Sequence, residues 1–358
     1  MRPVSTLRDG AADAPGSGGE LLAALQQALD GADRETDPCR TLSTLVEAGL
    51  DRLPRPGHGR TLDRWRALSL VGRHDLSLAK LYEGHTDALA IMAELGSPGG
   101  GEPGRTWGTW ASESPGGRVL IEQGATGAPR LRGTKAWCSG AGQVSHGLLT
   151  AWFGDGRGPQ LVAVDMAAPQ VEVRLQSWKA VGMAASASAD VVFDGAAAHL
   201  VGGVGDYLSR PGFWQGGAGV AACWFGGAMA LADALHASLA GLGAKAPPLF
   251  KLAALGRVDV CMAGAASLLR ASAAWIDEHP AADAAEAALR VRLAIEAVCT
   301  RVQDEVGRAL GAGPFCRDAA FARMAADLPV FIRQSHGDHD FAALAERVSG
   351  RVEPPWRL

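Results

Sequence analysis

The chain has 358 residues, 47% hydrophobic and 20% charged, with a formal net charge of −4. That length exceeds a single small core and suits two or three packed units. Basic and acidic residues are interspersed, so no basic stripe argues for nucleic acid and no acidic tail for a basic partner. Six cysteines (Cys39, Cys138, Cys223, Cys261, Cys299 and Cys316) are scattered without C-x-x-C pairs or zinc spacing. Their usage fits a reduced compartment, and with no signal-peptide pattern at the N-terminus the expectation is a cytoplasmic protein. The stretch from Val220 to Leu235 comes nearest to a membrane span but is Ala/Gly-rich and ends near His236, so no membrane partner is expected.

Residues 1–19 are Ala, Gly, Pro, Ser and Asp in irregular order and read as a disordered leader. Residues 20–102 carry helical periodicity: Leu21, Leu22, Leu25 and Leu29 share one face, and Leu42, Leu45, Val46 and Leu50 another. Trp65, Leu68, Leu76, Leu81 and Ile91 belong to a further helix pair, which the five glycines and two prolines of residues 96–104 bring to an end. From 103 to 208 the apolar runs are short and separated by Gly/Pro/Asp turns, the pattern of a β-barrel or sandwich. Helical spacing returns over 209–350, through Ala221–Leu239, Leu249–Ile276, Val291–Leu310 and one helix spanning Phe321–Val348. Short linkers make neighbours antiparallel, so this part reads as a four-helix bundle, followed by a tail over 351–358. The fold class is α+β, with a cleft where the three units meet.

Within the β-unit, Trp137-Cys138-Ser139 stands at the end of a strand that begins near Leu131. An indole two residues from a hydroxyl on a rigid strand suits a flat cofactor: one covers a ring face, the other hydrogen-bonds a ring nitrogen. A core Trp on a strand is the alternative. The segment Trp214–Val220 is glycine-rich but lacks the strand–turn–helix context of a dinucleotide fingerprint, and close helix packing accounts for it.

The order of units, together with local motifs, resembles the acyl-CoA dehydrogenase family over residues 20–345. Trp110-Ala111-Ser112-Glu113 resembles the strand ending in Thr-Glu-Pro. Arg132-Gly133-Thr134-Lys135 with Trp137-Cys138-Ser139 resembles Asn-Gly-Thr-Lys with Trp-Ile-Thr. Lys179-Ala180-Val181-Gly182-Met183 and Val191-Val192-Phe193-Asp194 resemble a Lys-x-Gly-Met stretch and its following strand. Gly311-Ala312-Gly313 with Arg317-Asp318 resembles a glycine turn and the Arg-Asp that opens the last helices. The resemblance implies FAD between the β-domain and the C-terminal bundle, and a homodimer or homotetramer formed through that bundle. It implies Trp137 against the isoalloxazine, Ser139 near its reactive nitrogen, Ser112 and the backbone of Ala111 on the pyrimidine side, and Gly311 in the cofactor-binding turn.

The chain also departs from this pattern. Oxidation of an acyl thioester needs a carboxylate to remove the proton alpha to the carbonyl. The Glu expected eight residues after Arg-Asp is Ala326, with Asp327 beside it as a substitute base or, alternatively, a helix cap or surface residue. His336 and Asp340, at i and i+4 near the end, offer an imidazole–carboxylate pair of the kind that oxygenating relatives use, or a solvated helix start. No metal site is expected. The Arg-x-x-Phe-Gly stretch that reaches the FAD pyrophosphate is replaced by Lys245-Ala246-Pro247-Pro248-Leu249-Phe250. The expectation is a FAD-dependent oxidoreductase acting on an acyl-CoA or related small molecule, with a flavin monooxygenase or a catalytically silent homologue as alternatives.

Overall fold

The periodicities of the first hundred residues resolve into four helices, α1 (Gly18–Asp30), α2 (Pro38–Glu47), α3 (Thr61–His74) and α4 (Leu76–Glu94). The protein is seen here in a computed structural model that describes residues 18–33, 36–97, 101–113, 117–124, 127–241, 246–353 and 355–356. The leader expected over 1–19 therefore lies almost wholly outside the described residues, as does Lys245. Local chemistry sets the helix starts. Asp37 caps α2 through the Cys39 amide, with Pro38 in the first turn, where its missing N–H costs no hydrogen bond. Asp75 alone separates α3 from α4 and caps α4 through the Leu78 amide at 2.7 Å. The N-terminus of α3 has no side-chain cap of its own. Asp277, more than 200 residues away, accepts hydrogen bonds from the amides of Gly59 and Thr61 and from the Thr61 hydroxyl instead.

Seven strands follow: β1 (Trp107–Trp110), β2 (Val119–Gln123), β3 (Pro129–Cys138), β4 (His146–Phe153), β5 (Pro159–Asp165), β6 (Val171–Arg174) and β7 (Ala189–Val201). Strand β2 pairs with β3, β3 with β7, β7 with β5 and β5 with β4, all antiparallel, and β4 returns to β2 in parallel. The sheet therefore closes, and of the two expected architectures it is the barrel. Val119, Leu131, Leu149, Val162, Val191 and Phe193 are among the buried side chains of its core. Strand β1 lies parallel to the first half of β4, and β6 lies against β7.

The remaining chain forms α5 (Asp206–Ser209), α6 (Gly212–Ala240), α7 (Leu249–Glu278), α8 (Ala285–Leu310), α9 (Ala312–Arg317), α10 (Ala319–Phe331) and α11 (Asp338–Ser349). The single helix expected over Phe321–Val348 is two. A 3-10 turn at Ile332–Gln334 and Gly337, at φ 55°, break it. One continuous apolar core joins the N-terminal helices to α6, α7, α8 and α10. Helix α6 is its axis. Where α6 meets α3, Gly72 lies against the Cys223 carbonyl and Gly226 against the Ser69 carbonyl, so a methyl on either glycine would collide with backbone. Both α6 and α7 are long and apolar enough to cross a membrane, but 67% of the most apolar window of α6 is buried inside the protein, against 22% for α7. Leu249, Phe250 and Val260 of α7 are exposed.

Helix α10 carries the seam between barrel and bundle. Its Pro329 cannot donate to the Ala325 carbonyl, and the side-chain amide of Gln303 on α8 takes that place at 2.9 Å. One turn earlier Gly182 packs against the Ala326 carbonyl so closely that any Cβ would overlap it. Next to it Asp327 accepts a 2.5 Å hydrogen bond from the Met183 amide, with the Ser77 hydroxyl of α4 at 3.4 Å. Asp327 is 3% exposed and lies in mid-helix, so it is neither the helix cap nor the surface residue of the bland expectation.

Burial raises the Asp327 pKa from 3.8 to about 6; the Met183 N–H opposes the rise, nearby Asp75 adds to it and Arg323 opposes it. Because the folded value lies above the unfolded one, the contribution to stability is complete below about pH 4 and is lost as pH rises through about 6. Roughly 3 kcal/mol is at stake. Asp327→Asn keeps an acceptor for the Met183 amide and removes the titration. Its melting temperature relative to the unsubstituted protein is expected to climb by several degrees between pH 4 and pH 7. A pH-independent difference in thermal unfolding would contradict this account. Gly182→Ala is expected to destabilise by about 1–3 kcal/mol, read as a lower denaturant midpoint, because backbone on either side of the seam must separate.

Candidate functional site

Strand β3 leaves regular pairing with β7 between Lys135 and Cys138. In that irregular step Trp137 adopts φ 59° and is 53% exposed. A left-handed backbone at a bulky residue costs on the order of 1–2 kcal/mol, and an exposed indole forgoes burial as well. The two other non-glycine residues with positive φ among those described are Met183 (60°) and Ala187 (44°). They bracket the turn that docks on the end of β3, where the Gly140 amide donates to the Ser186 carbonyl at 2.9 Å. All three strained residues thus meet at one place, the pattern of a binding site held by its surroundings.

Ser139 borders a small cleft lined by Lys80, Leu81 and Gly84 of α4 and by Trp107 through Trp110 of β1. The volume of about 10 Å³ admits about one water molecule. The Trp110 indole N–H donates to the Ser139 carbonyl at 3.1 Å, which joins β1 to the end of β3. The Ser139 hydroxyl lies 3.0 Å from that of Ser188, which lies 3.0 Å from that of Ser186. Lys80 pairs with Glu83 at 2.9 Å.

The floor of the cleft is fastened from below. His85, fully buried on α4, accepts the Trp107 amide at Nδ1 (3.1 Å), so its hydrogen is on Nε2, which donates to Asp51 at 3.0 Å. Ala111 and Ser112 follow β1 directly. Ala111 packs against the cluster around Trp107 and Leu148, and Ser112 is exposed. Glu113, the next residue, accepts from the Lys135 ammonium (2.9 Å) and the Thr150 hydroxyl (2.5 Å). Lys135 is 2% exposed, so this ion pair fixes the segment carrying Ser112 to the strand carrying Trp137.

The structure thus gathers Trp137, Ser139, Ala111 and Ser112 at one end of the barrel, and separates the two catalytic candidates from them in different ways. Asp327 belongs to the seam beneath the 183–187 turn, with its carboxylate committed to the Met183 amide, which corrects the expectation of a free base. His336 lies outside α11 with a side chain 76% exposed; its amide donates to Asp340 at 3.0 Å in a helix-start contact. Its Nδ1 lies 3.5 Å from Asp340 Oδ1, so the expected imidazole–carboxylate pair forms, at the exposed start of α11. Gly311 is an exposed joint between α8 and α9 at φ 65°, where an added Cβ would meet open space. No group of His, Cys, Asp or Glu among the described residues has the arrangement of a metal site. Ser186 and Ser188 were not singled out in the sequence. Their signal was the alternation Ala185-Ser186-Ala187-Ser188 just before a buried strand.

No protein-family profile matches the chain, and no curated protein matches it in sequence. Solved structures do match. KijD3, in complex with FMN and a dTDP-linked amino-keto sugar, aligns over 97% of each chain with 19% identity and a TM-score of 0.79. FMN-bound TdsC from Paenibacillus sp. A11-2, a dibenzothiophene monooxygenase, aligns over 94% of this chain and 98% of its own, with 18% identity and a TM-score of 0.76. The methanesulfinate monooxygenase MsuC from Pseudomonas fluorescens aligns over 94% and 97%, with 17% identity and a TM-score of 0.74. KijD3 and TdsC are seen with FMN, and this chain shares the acyl-CoA dehydrogenase-like fold over nearly its whole length.

Proposed function

We propose that this protein is a flavin-dependent monooxygenase that acts on a small molecule. The observation that carries the reading is Trp137, strained and half-exposed beside the Ser139 hydroxyl. A planar ring stacked on the indole would recover the apolar surface now facing solvent, and Ser139 would meet its nitrogen edge. When bound, the flavin supplies the redox chemistry; the chain's own residues orient it and exclude water. Trp110 and the Lys135–Glu113 pair hold the wall, while Lys80, paired with Glu83, brings charge to the small cleft beside Ser139.

Monooxygenation is favoured over thioester oxidation because neither position read as the base is free to act as one. The position expected to carry the glutamate base is Ala326, whose carbonyl packs on Gly182, and Asp327 is held by a peptide N–H. Two of the structural neighbours described above are monooxygenases. FMN is the first cofactor to test and FAD the second, because the chain lacks the arginine fork expected at the FAD pyrophosphate. We also assign a second copy of this chain to the exposed apolar face of α7, giving a homo-oligomer, and a reduced cytoplasmic setting to the six unpaired cysteines.

Purified protein mixed with FMN or FAD is expected to retain a yellow flavin spectrum. A folded protein that binds neither would overturn both enzyme readings in favour of a silent homologue. Reduced flavin with the protein should consume oxygen and oxygenate a member of a substrate panel, whereas anaerobic bleaching by acyl-CoA would return the dehydrogenase reading. Trp137→Ala is expected to weaken flavin binding about tenfold or more. Unchanged affinity in a fluorescence titration would make this Trp a surface residue only.

A further inference from the structure

Three polar side chains that the flavin reading leaves unused meet where α4, α5 and α6 join. The Asp87 side chain on α4 is 15% exposed, and its carboxylate accepts no hydrogen bond among the described residues. Its nearest cation, Arg64 Nη2, stands 3.8 Å away and gives its N–H groups to the Pro54 carbonyl (3.4 Å) and the Thr86 hydroxyl (3.3 Å). Arg210, with a side chain 5% exposed, pairs with Glu94 at 2.6 Å, and its buried Nε–H has no acceptor. A buried donor or acceptor left unmade is costly, so such groups call for a partner. Tyr207 lies under the Arg210 guanidinium, 5.2 Å from its ring centre; burial and Asp87 raise the Tyr207 pKa and Arg210 lowers it. Burial and Glu83 raise that of Asp87, against Arg210, Arg64 and Lys80. Glycines of α6 allow the approach. A Cβ at Gly212 would strike Arg210 Nη1, and one at Gly216 would strike Asp87 Oδ1. These glycines are one turn apart, which sets the guanidinium and the carboxylate about 6 Å apart along the helix. Beside them an added Cβ at Gly217 would meet open space.

We propose that Asp87 and Arg210 form a specificity site for a neutral hydroxyl group of the small-molecule substrate. A hydroxyl donates its hydrogen to Asp87 and accepts from Arg210 Nε through a lone pair, and two such bonds on one oxygen span about 6 Å. An ammonium has no lone pair for Arg210, and a carboxylate has no hydrogen for Asp87. The charges agree, since Asp87, Glu83 and Glu94 balance Arg64, Lys80 and Arg210. Calling the ligand a substrate rests on the flavin reading above. Lys80, which lines the cleft beside Ser139, shares a face of α4 with Asp87, two turns or about 10 Å away. The hydroxyl holds the molecule at one end, with the remainder extended toward that cleft.

Benzyl alcohol, toluene and benzylamine share a ring and differ in the group they offer. Each is titrated into the purified protein with no flavin added, and binding is followed by NMR shifts of the α4 and α6 amides. The alcohol is expected to bind at least about fivefold more tightly than either of the others. Asp87→Ala should bring the alcohol to within about twofold of toluene. Tyr207→Phe removes a single hydroxyl beside the site and should reduce the preference as well; it carries the test if Asp87→Ala does not fold. Equal binding of alcohol and toluene overturns the proposal, as it would if the site held water only. Tighter binding of benzylamine overturns the neutral assignment, and a preference unchanged in the folded variants overturns the placement. Any of these failures leaves the flavin reading intact, whereas a protein that shows the preference yet binds no flavin keeps the hydroxyl site and loses that reading.

Discussion

The hydrogen bond from the Met183 amide to Asp327 is the contact on which the site depends. It is the point where a turn of the barrel domain is nailed to a helix of the bundle. Gly182 permits the approach, Pro329 and Gln303 shape the helix that receives it, and Asp75 and Arg323 sit beside the carboxylate. With the Trp178 indole and the Ser186 hydroxyl on the Met183 carbonyl, that anchor holds the left-handed Met183 and the turn supporting the end of β3. The carboxylate is thus a structural fastener whose own ionisation works against the fold, since burial lifts its pKa toward neutrality.

Strain and buried charge are distributed unevenly over the molecule. The barrel core is apolar and regular, and the departures gather at its end facing α4 and α10. There a lysine is buried against a glutamate, an indole is left in solvent, and a histidine is held in one tautomer by a backbone N–H. Each would cost stability in a protein selected for packing alone. Their coincidence is the physical reason for reading this end as the place of chemistry.

The fold was legible because periodicity reports burial faces directly. The leucines of α1 and α2 and the short runs of the β-unit required no tertiary information, and the ordered motifs placed Trp137 and Ser139 on one strand end. Other features depend on contacts between distant segments. Asp327 looked like a spare base because its neighbours in sequence say nothing of the Met183 amide, 144 positions earlier. His336 and Asp340 have helical spacing and do meet, but α11 begins only after Gly337, at φ 55°, so the histidine stands outside the helix. Ser186 and Ser188 escaped notice since small polar residues before a strand resemble any turn, and their contact with Ser139 appears only in the fold. Pro329 lies inside α10 without ending it, because Gln303, from α8, supplies the donor the proline lacks.

Helix α6 has a consequence for how the chain is made. Trp65, Leu68 and Val71 of α3 belong to a core completed only by residues some 150 positions later, including Ala221 and Trp224. At the glycine crossing α3 and α6 approach to backbone contact. During synthesis the first four helices must emerge with this face bare and wait while the entire barrel is translated. The barrel, whose strands pair among themselves, can close in the interval. Assembly is then obliged to run from the middle outward, and the long delay before α6 arrives is the window in which a nascent chain most needs shielding from its neighbours.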